Sequence, residues 1–261
     1  MLAAFGVDPV RVPTVTFGKS PPRGGRGRMT EPDFFAHMLE DVRSEGLFGL
    51  ADVVITGHFS HPQQVELAAE AIRQVRAAPR DGAFSARPLV VVDPILGDAG
   101  PGLYVKPDVA EAVIGELLPL ADWLTPNLWE LGHILGREIT TTQDALAGAH
   151  ALPCASLVTS VPAGESEIGM ICNTQGGARL YAHRRLASAP NGTGDLVTAL
   201  LAARLLHGQD PFDAAEGAAR GVFDAVWCAL EWNAPQLPIV AMGERLARPR
   251  AEVRTEVLHD A

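Results

Sequence analysis

The chain is short of lysine, cysteine and tyrosine, and the first two shortages narrow what it can be. Its 261 residues include only Lys19 and Lys106. Charge on bound phosphates must therefore be met by backbone amides, metal or arginine. The three cysteines, Cys154, Cys172 and Cys228, are far apart and form no CxxC pattern, which argues against a disulfide framework and a structural zinc site. No GxSxG elbow and no HExxH pair occurs. Gly18-Lys19-Ser20 imitates the tail of a phosphate loop. Pro13 stands where such a loop needs its first glycine, however, and Pro21-Pro22 where its helix should begin. No apolar run reaches bilayer-spanning length and residues 1–17 show no leader pattern, so the cytoplasm is the expected compartment. Acidic residues outnumber basic ones 31 to 21. This charge balance repels phosphate backbones and anionic lipid, so neither nucleic acid nor membrane is an expected partner.

What is present is a folding chain, 47% hydrophobic and 20% charged. Short β-branched runs alternate with longer patterns of 3.6-residue period, the mark of βαβ units around a largely parallel sheet. Strands are expected at 12–17, 51–56, 89–93, 123–125 and 155–159, with a hairpin pair at 169–173 and 179–184. Helices are expected at 32–42, 62–77, 108–118, 129–135, 143–152, 194–207 and 211–232. No repeat or composition break divides the chain, so a single domain over 1–261 is expected, with residues 1–4 and 249–261 frayed. The Pro/Gly/Arg stretch 20–28 is expected to form a loop over the strand ends.

The most informative segment is Asn191-Gly192-Thr193-Gly194-Asp195, followed at once by an apolar helical pattern. Glycines at a helix entrance let amides turn toward an anion, and the helix dipole favours negative charge there. Asp195, in the first turn, could take the proton of an attacking hydroxyl while those amides hold a transferred phosphoryl group. The plainer reading is a capped helix with an acid complementing its dipole.

Three further segments end strands with polar groups. Val90-Val91-Val92-Asp93 runs on to Asp98, placing acids where open sheets collect ligands and where magnesium could be held. Turn geometry alone also accounts for Asp98. Thr125-Pro126-Asn127 is followed by Glu130, so amide and carboxylate share one face of a first turn; an ordinary capping box reads the same way. Thr159 and Ser160 offer two hydroxyls at a fourth strand end.

The runs GHFSHPQQVE, VVDPILGDAGPGLYV, TPNLWE, LVTS and NGTGD, in this order and spacing, resemble the pyridoxal kinase branch of the ribokinase-like superfamily, and the similarity covers about residues 5–248. That resemblance implies an α/β fold, a three-layer αβα arrangement about a largely parallel central sheet. It implies transfer of the ATP γ-phosphoryl group to the 5′-hydroxyl of pyridoxal, pyridoxine or pyridoxamine, in a cytoplasmic homodimer. Mg2+ is the implied metal, often with K+ or Na+ as a monovalent helper. By the same resemblance Asp195 is the catalytic proton acceptor and a substrate contact, and Gly192, Thr193 and Gly194 form the anion hole. Asp93, Asn127, Glu130, Thr159 and Ser160, with Thr193, lie around ATP. Asp93 and Glu130 with Asp98 and Thr125 form the cation contacts. Gly192, Phe17 and His58 fall on the substrate side.

The departures from the family pattern also fall on that side. The family's first strand, whose end supplies a serine to the pyridine ring, has no counterpart here, so the sheet is expected to lack it. After Phe17 the chain reads GKSPPRGGRG where relatives often carry SNHT. His58 stands where a tyrosine often packs on the vitamin. A hydroxymethylpyrimidine or sugar kinase of the same superfamily therefore remains an alternative, as does a B6- or ATP-binding protein with impaired turnover. A purely structural subunit would give no reason for polar groups to gather at strand ends.

Overall fold

Period-two and period-3.6 apolar patterns alternate along the chain, and in the computed structural model they become alternating strands and helices. The structure describes residues 1–18 and 27–259; Lys19, Ser20 and most of the stretch expected as a loop lie outside them. Contacts gather into two compact units, one of Val10–Asp122 and one of Met1–Pro9 with Trp123–Ala261.

The first unit opens with β1 (Val15–Phe17) and β2 (Gly27–Met29), paired antiparallel with Phe17 opposite Gly27. Any Cβ on Gly27 would collide with the Phe17 ring, so glycine lets that ring lie across the neighbouring strand. Then come α1 (Pro32–Ser44), α2 (Leu47–Leu50), β3 (Val53–Thr56), α3 (Pro62–Ala77) and β4 (Leu89–Val92). Pro at the first position starts both α1 and α3, where a missing N–H costs nothing. Strands β3 and β4 pair in parallel from Val53 opposite Leu89 to Thr56 opposite Val92. Val90, Val91 and Val92 are fully buried, as befits a parallel strand covered on both faces. Among the described residues of this unit β3 has a strand on one side only. A two-residue hairpin, β5 (Gly97–Asp98) with β6 (Gly102–Leu103), precedes α4 (Pro107–Ala112). The single helix expected over 108–118 is broken: a wider π-helical stretch, Val113–Leu117, and a tight turn, Leu118–Leu120, follow α4. Pro119 explains the break, since it can neither donate to the helix ladder nor fit beneath the preceding turn.

Gln64 organises this unit. Fully buried at the start of α3, its amide donates to the Thr14 and Thr30 carbonyls at 3.0 and 2.7 Å and accepts from the Ser60 amide at 3.0 Å. One side chain thus ties both strands of the β1–β2 hairpin to the loop after β3.

The second unit contains β7 (Trp123–Leu124), α5 (Leu128–Leu135), α6 (Thr142–His150), β8 (Ala155–Pro162), β9 (Glu167–Thr174), β10 (Gly177–Arg184), α7 (Thr193–Leu206), α8 (Pro211–Glu231), α9 (Gly243–Ala247) and β11 (Arg254–Leu258). β7 runs parallel to β8, while β8, β9, β10 and β11 pair antiparallel in sequence. Parallel pairing thus holds for β3–β4 and β7–β8, and antiparallel pairing for β8–β9, β9–β10 and β10–β11. Helix α7 is apolar on nearly every face and buried along most of its length. It packs on α8, whose row of Ala214, Ala215, Ala218 and Ala219 lets the two axes approach.

Among the described residues, both stretches expected to fray carry regular structure. Leu2–Phe5 forms a tight helical turn whose Phe5 carbonyl meets His207 Nε2 at 2.7 Å. At the other end β11 pairs with β10 from Ala178 opposite Leu258 to Ala182 opposite Arg254. Buried Asp224 leads the chain there: it accepts from the Arg245 guanidinium and the Arg250 amide, both at 2.7 Å. The pattern Arg-Thr-Glu-Val-Leu has no apolar alternation because this edge strand is exposed, so periodicity gives no sign of it.

Candidate phosphoryl-transfer site

In the second unit, the helix entrance singled out by the sequence is open. Gly192 adopts φ +92°, a left-handed conformation natural to glycine, and turns the chain into α7. No side chain caps this helix. The first intrahelical bond, from the Leu196 amide to the Gly192 carbonyl, leaves the amides of Thr193, Gly194 and Asp195 without acceptors inside the helix. A Cβ on Gly194 would meet nothing within 4 Å. Packing thus does not demand glycine there, and the space above the amides stays clear. Asp195 is exposed, and its Oδ2 lies 3.8 Å from where a Cβ of Gly192 would stand. Carboxylate and glycine turn therefore share one small region.

The α7 entrance is held from behind by Thr198, which the sequence reading did not single out. Its hydroxyl donates to the Gly194 carbonyl at 3.1 Å and lies 2.8 Å from the hydroxyl of Thr125, itself buried at the end of β7. With the Thr198 proton committed to Gly194, Thr125 is the donor in that second contact. A hydroxyl interrupting the buried apolar run from Leu196 to Ala203 was the available signal.

Asn127 and Glu130 form a complete capping box at the start of α5. The Glu130 amide donates to Asn127 Oδ1 at 2.8 Å, and the Asn127 amide donates to Glu130 Oε2 at 2.9 Å. The plainer reading of this pair is therefore realised; whatever else these groups do, they seal a helix. Glu130 is almost wholly buried. Asn127 also bridges Thr159 in a parallel pair, with the Thr159 amide donating to the Pro126 carbonyl at 2.9 Å.

The register of β8 against β9 slips between Val158 and Val161, and within that bulge Ser160 takes φ +62°. Bulges of this kind re-aim side chains at strand ends. Here Thr159 and Ser160 line a cavity of about 240 Å³, together with Thr193 and Gly194. His183 near the end of β10, Arg185 just after it, and Val222, Phe223 and Val226 of α8 line the same cavity, and the sequence reading missed them.

In the first unit, Asp93 follows β4 directly and is buried, its amide donating to the Thr56 carbonyl at 3.2 Å. Ile95, two residues on, has φ +41°, a strained value for a β-branched residue. Asp98 is exposed and accepts from the Ala99 amide at 2.7 Å, the turn contact that alone would explain it. Phe17 is 40% exposed on β1. The His58 carbonyl accepts from the Thr14 hydroxyl at 2.5 Å, and its Nε2 lies 3.2 Å from Ser60 Oγ. Both substrate-side residues thus sit on the framework pinned by Gln64.

Among the described residues no three His, Cys, Asp or Glu side chains converge as a metal cage. Magnesium takes much of its octahedral shell from water and phosphate and needs only one or two carboxylates, so within either unit a single acid, Asp93 in the first or Glu130 in the second, can serve as such a donor.

Comparison with known proteins agrees with this geometry. The family model described as phosphomethylpyrimidine kinase matches residues 32–240. A pyridoxine/pyridoxal/pyridoxamine kinase of Bordetella avium is 32% identical over 237 residues, which are 87% of this chain and 77% of that relative. The chain belongs to the phosphomethylpyrimidine kinase family, among its pyridoxal kinases. A pyridoxal kinase of Leifsonia xyli is 28% identical, covering 96% of this chain and 89% of that protein. Pyridoxal kinase from Leishmania donovani, solved in complex with ADP and pyridoxine, superposes with a TM-score of 0.89 at 22% identity, covering 98% and 91% of the two chains. That likeness shows a shared α/β fold, and the family match with the Bordetella relative shows a kinase.

Proposed function

We propose that the protein transfers the γ-phosphoryl group of ATP to the 5′-hydroxyl of pyridoxal, and of pyridoxine and pyridoxamine, in vitamin B6 salvage. The observation that carries this reading is the uncapped, glycine-lined entrance of α7 with an exposed carboxylate in its first turn. Asp195 accepts the proton of the 5′-hydroxyl as that oxygen bonds to the γ-phosphorus, and the bond to the ADP oxygen breaks. The amides of Thr193, Gly194 and Asp195 hold the equatorial oxygens, whose charge they meet without reorganisation. Gly192 keeps the backbone close, and Thr198 with Thr125 fixes the angle of the helix entrance.

Thr159 and Ser160 line the nucleotide cavity, with Asn127 and Glu130 beside them through the Asn127–Thr159 bridge. Magnesium bound with ATP would neutralise phosphate charge. Asp93 and Asp98 in the first unit, and Thr125 and Glu130 in the second, are each proposed as a cation contact, directly or through water, for Mg2+ or for K+ or Na+. Phe17 and His58 are proposed to face the vitamin. The family resemblance extends this reading to a cytoplasmic homodimer; no described helix is long and apolar enough to cross a membrane.

Purified protein supplied with MgATP and each of pyridoxal, pyridoxine, pyridoxamine and hydroxymethylpyrimidine, followed by phosphorus NMR, tests the assignment. A 5′-phosphate of at least one B6 vitamer is expected. Phosphorylation of hydroxymethylpyrimidine alone would move the chain to the alternative kinase. No product from any alcohol, with ATP bound, would reduce it to a binding protein.

A further inference from the structure

The cavity lined by Thr193 and Gly194 of α7 is also lined by a histidine whose protonation is fixed by its neighbours. His183 lies near the end of β10, with Nδ1 2.9 Å from the carbonyl oxygen of Arg184. A carbonyl only accepts, so Nδ1 carries the proton. Burial pulls the ring below the usual imidazole range, against the raising influence of the Arg184 carbonyl and the Glu167 charge, so the ring is neutral. A neutral imidazole protonated at Nδ1 has a lone pair at Nε2. His183 lines the cavity, and the Phe223 ring lies 4.8 Å from it, tilted by 59°. Phe223 in turn stacks on Trp227. The cavity thus sets an imidazole acceptor among aromatic and aliphatic walls, with Arg185 also on its lining.

On the proposed function, on which this inference rests, a nucleotide with its terminal phosphate at the α7 amides lays its base along the apolar walls beside His183. We infer that His183 is the residue that selects the base: Nε2 accepts a hydrogen bond from an exocyclic 6-amino group and opposes a 6-oxo group. Adenine presents a donor at that position. Hypoxanthine and guanine present an acceptor, and two facing acceptors leave both lone pairs unmatched in a partly dry site. Phe223 and Val226 accept any purine face, so they supply affinity without discrimination.

The test uses ADP and IDP, and ATP and ITP, because inosine exchanges the 6-amino donor for a 6-oxo acceptor, with the adjacent N1 changing from acceptor to donor. Dissociation constants of ADP and IDP are measured by calorimetry, and kcat/KM of ATP and ITP with pyridoxal as acceptor. Each is measured for wild type, His183→Ala and His183→Phe. The adenine-to-hypoxanthine ratio is taken within one preparation, so loss of active protein cancels. Wild type is expected to favour adenine by about tenfold or more, the scale of one lost hydrogen bond to a buried group. Both variants should bring the ratio to within about twofold while the KM for pyridoxal stays put. An unchanged ratio in either variant overturns the inference, as does a wild type indifferent to the base, a result needing no variant to fold. Wild type that discriminates ADP from IDP but phosphorylates no alcohol would instead sink the kinase reading and leave base selection standing.

Discussion

Three helices of the second unit begin in different ways, and the contrast locates the chemistry. At α5 and α6 the side chains of Asn127 with Glu130, and of Thr141 with Asp144, close back on the first amides in complete capping boxes. At α7 no side chain does so, and a left-handed glycine takes the cap position. Most helix entrances recover about 1 kcal/mol from such a cap. Leaving it out at α7 forgoes that stabilisation and keeps three amides and a positive dipole end for an external anion. An open helix entrance flanked by sealed ones is thus a positive signal, because the fold shows that it can build caps.

Breaking the open end should have the largest effect. Asp195→Asn removes the proton acceptor and should lower kcat by roughly two orders of magnitude or more. ATP should still bind in a calorimetric titration, and near-normal turnover would remove Asp195 from the mechanism. Filling the clear space comes next. Gly194→Val places a branched side chain over the amides and should raise the KM for ATP by about tenfold, the scale of one lost charge-assisted contact. Its melting temperature should change little, since no neighbour lies within 4 Å of the new Cβ.

The sealed entrances should respond in stability instead. Asn127→Ala opens the α5 box and should cost about 1–2 kcal/mol in a denaturant titration. Because Asn127 also bridges Thr159 at the cavity, its KM for ATP should rise as well. Thr141→Ala opens the equivalent box at α6 and should cost about 1 kcal/mol with every kinetic constant unchanged. A kinetic effect at Thr141 would show that loss of a cap anywhere disturbs the site, and the contrast between entrances would lose its meaning.

The parts of this site that are local in sequence were legible in it. Glycines beside an acid at a helix start, acids at the end of Val90-Val91-Val92, and the Asn127–Glu130 spacing all report geometry within a few residues. The capping reading and the ligand reading of Asn127 and Glu130 could not be separated that way, because both need the same atoms three residues apart. The cavity wall around His183 is different in kind. His183, Arg185 and Phe223 meet because β10 and α8 pack across some forty residues of chain, and a period says only that a side chain points inward. Thr198 and Gln64 were findable, as polar residues interrupting buried faces, but their partners were not. β11 escaped because an exposed edge strand is held by its ladder and by ion pairs such as Arg254 with Glu167, at 2.9 Å, rather than by an apolar face.

Amide resonances offer the most direct measurement. With a non-hydrolysable ATP analogue and magnesium added to saturation, the backbone N–H signals of Thr193, Gly194 and Asp195 should move strongly, and more than with ADP. Those of Thr142, Gln143 and Asp144, at the sealed start of α6, should stay where they were. If the α7 amides remain unmoved while the analogue is bound elsewhere, the open entrance is not the phosphate cradle and the account fails.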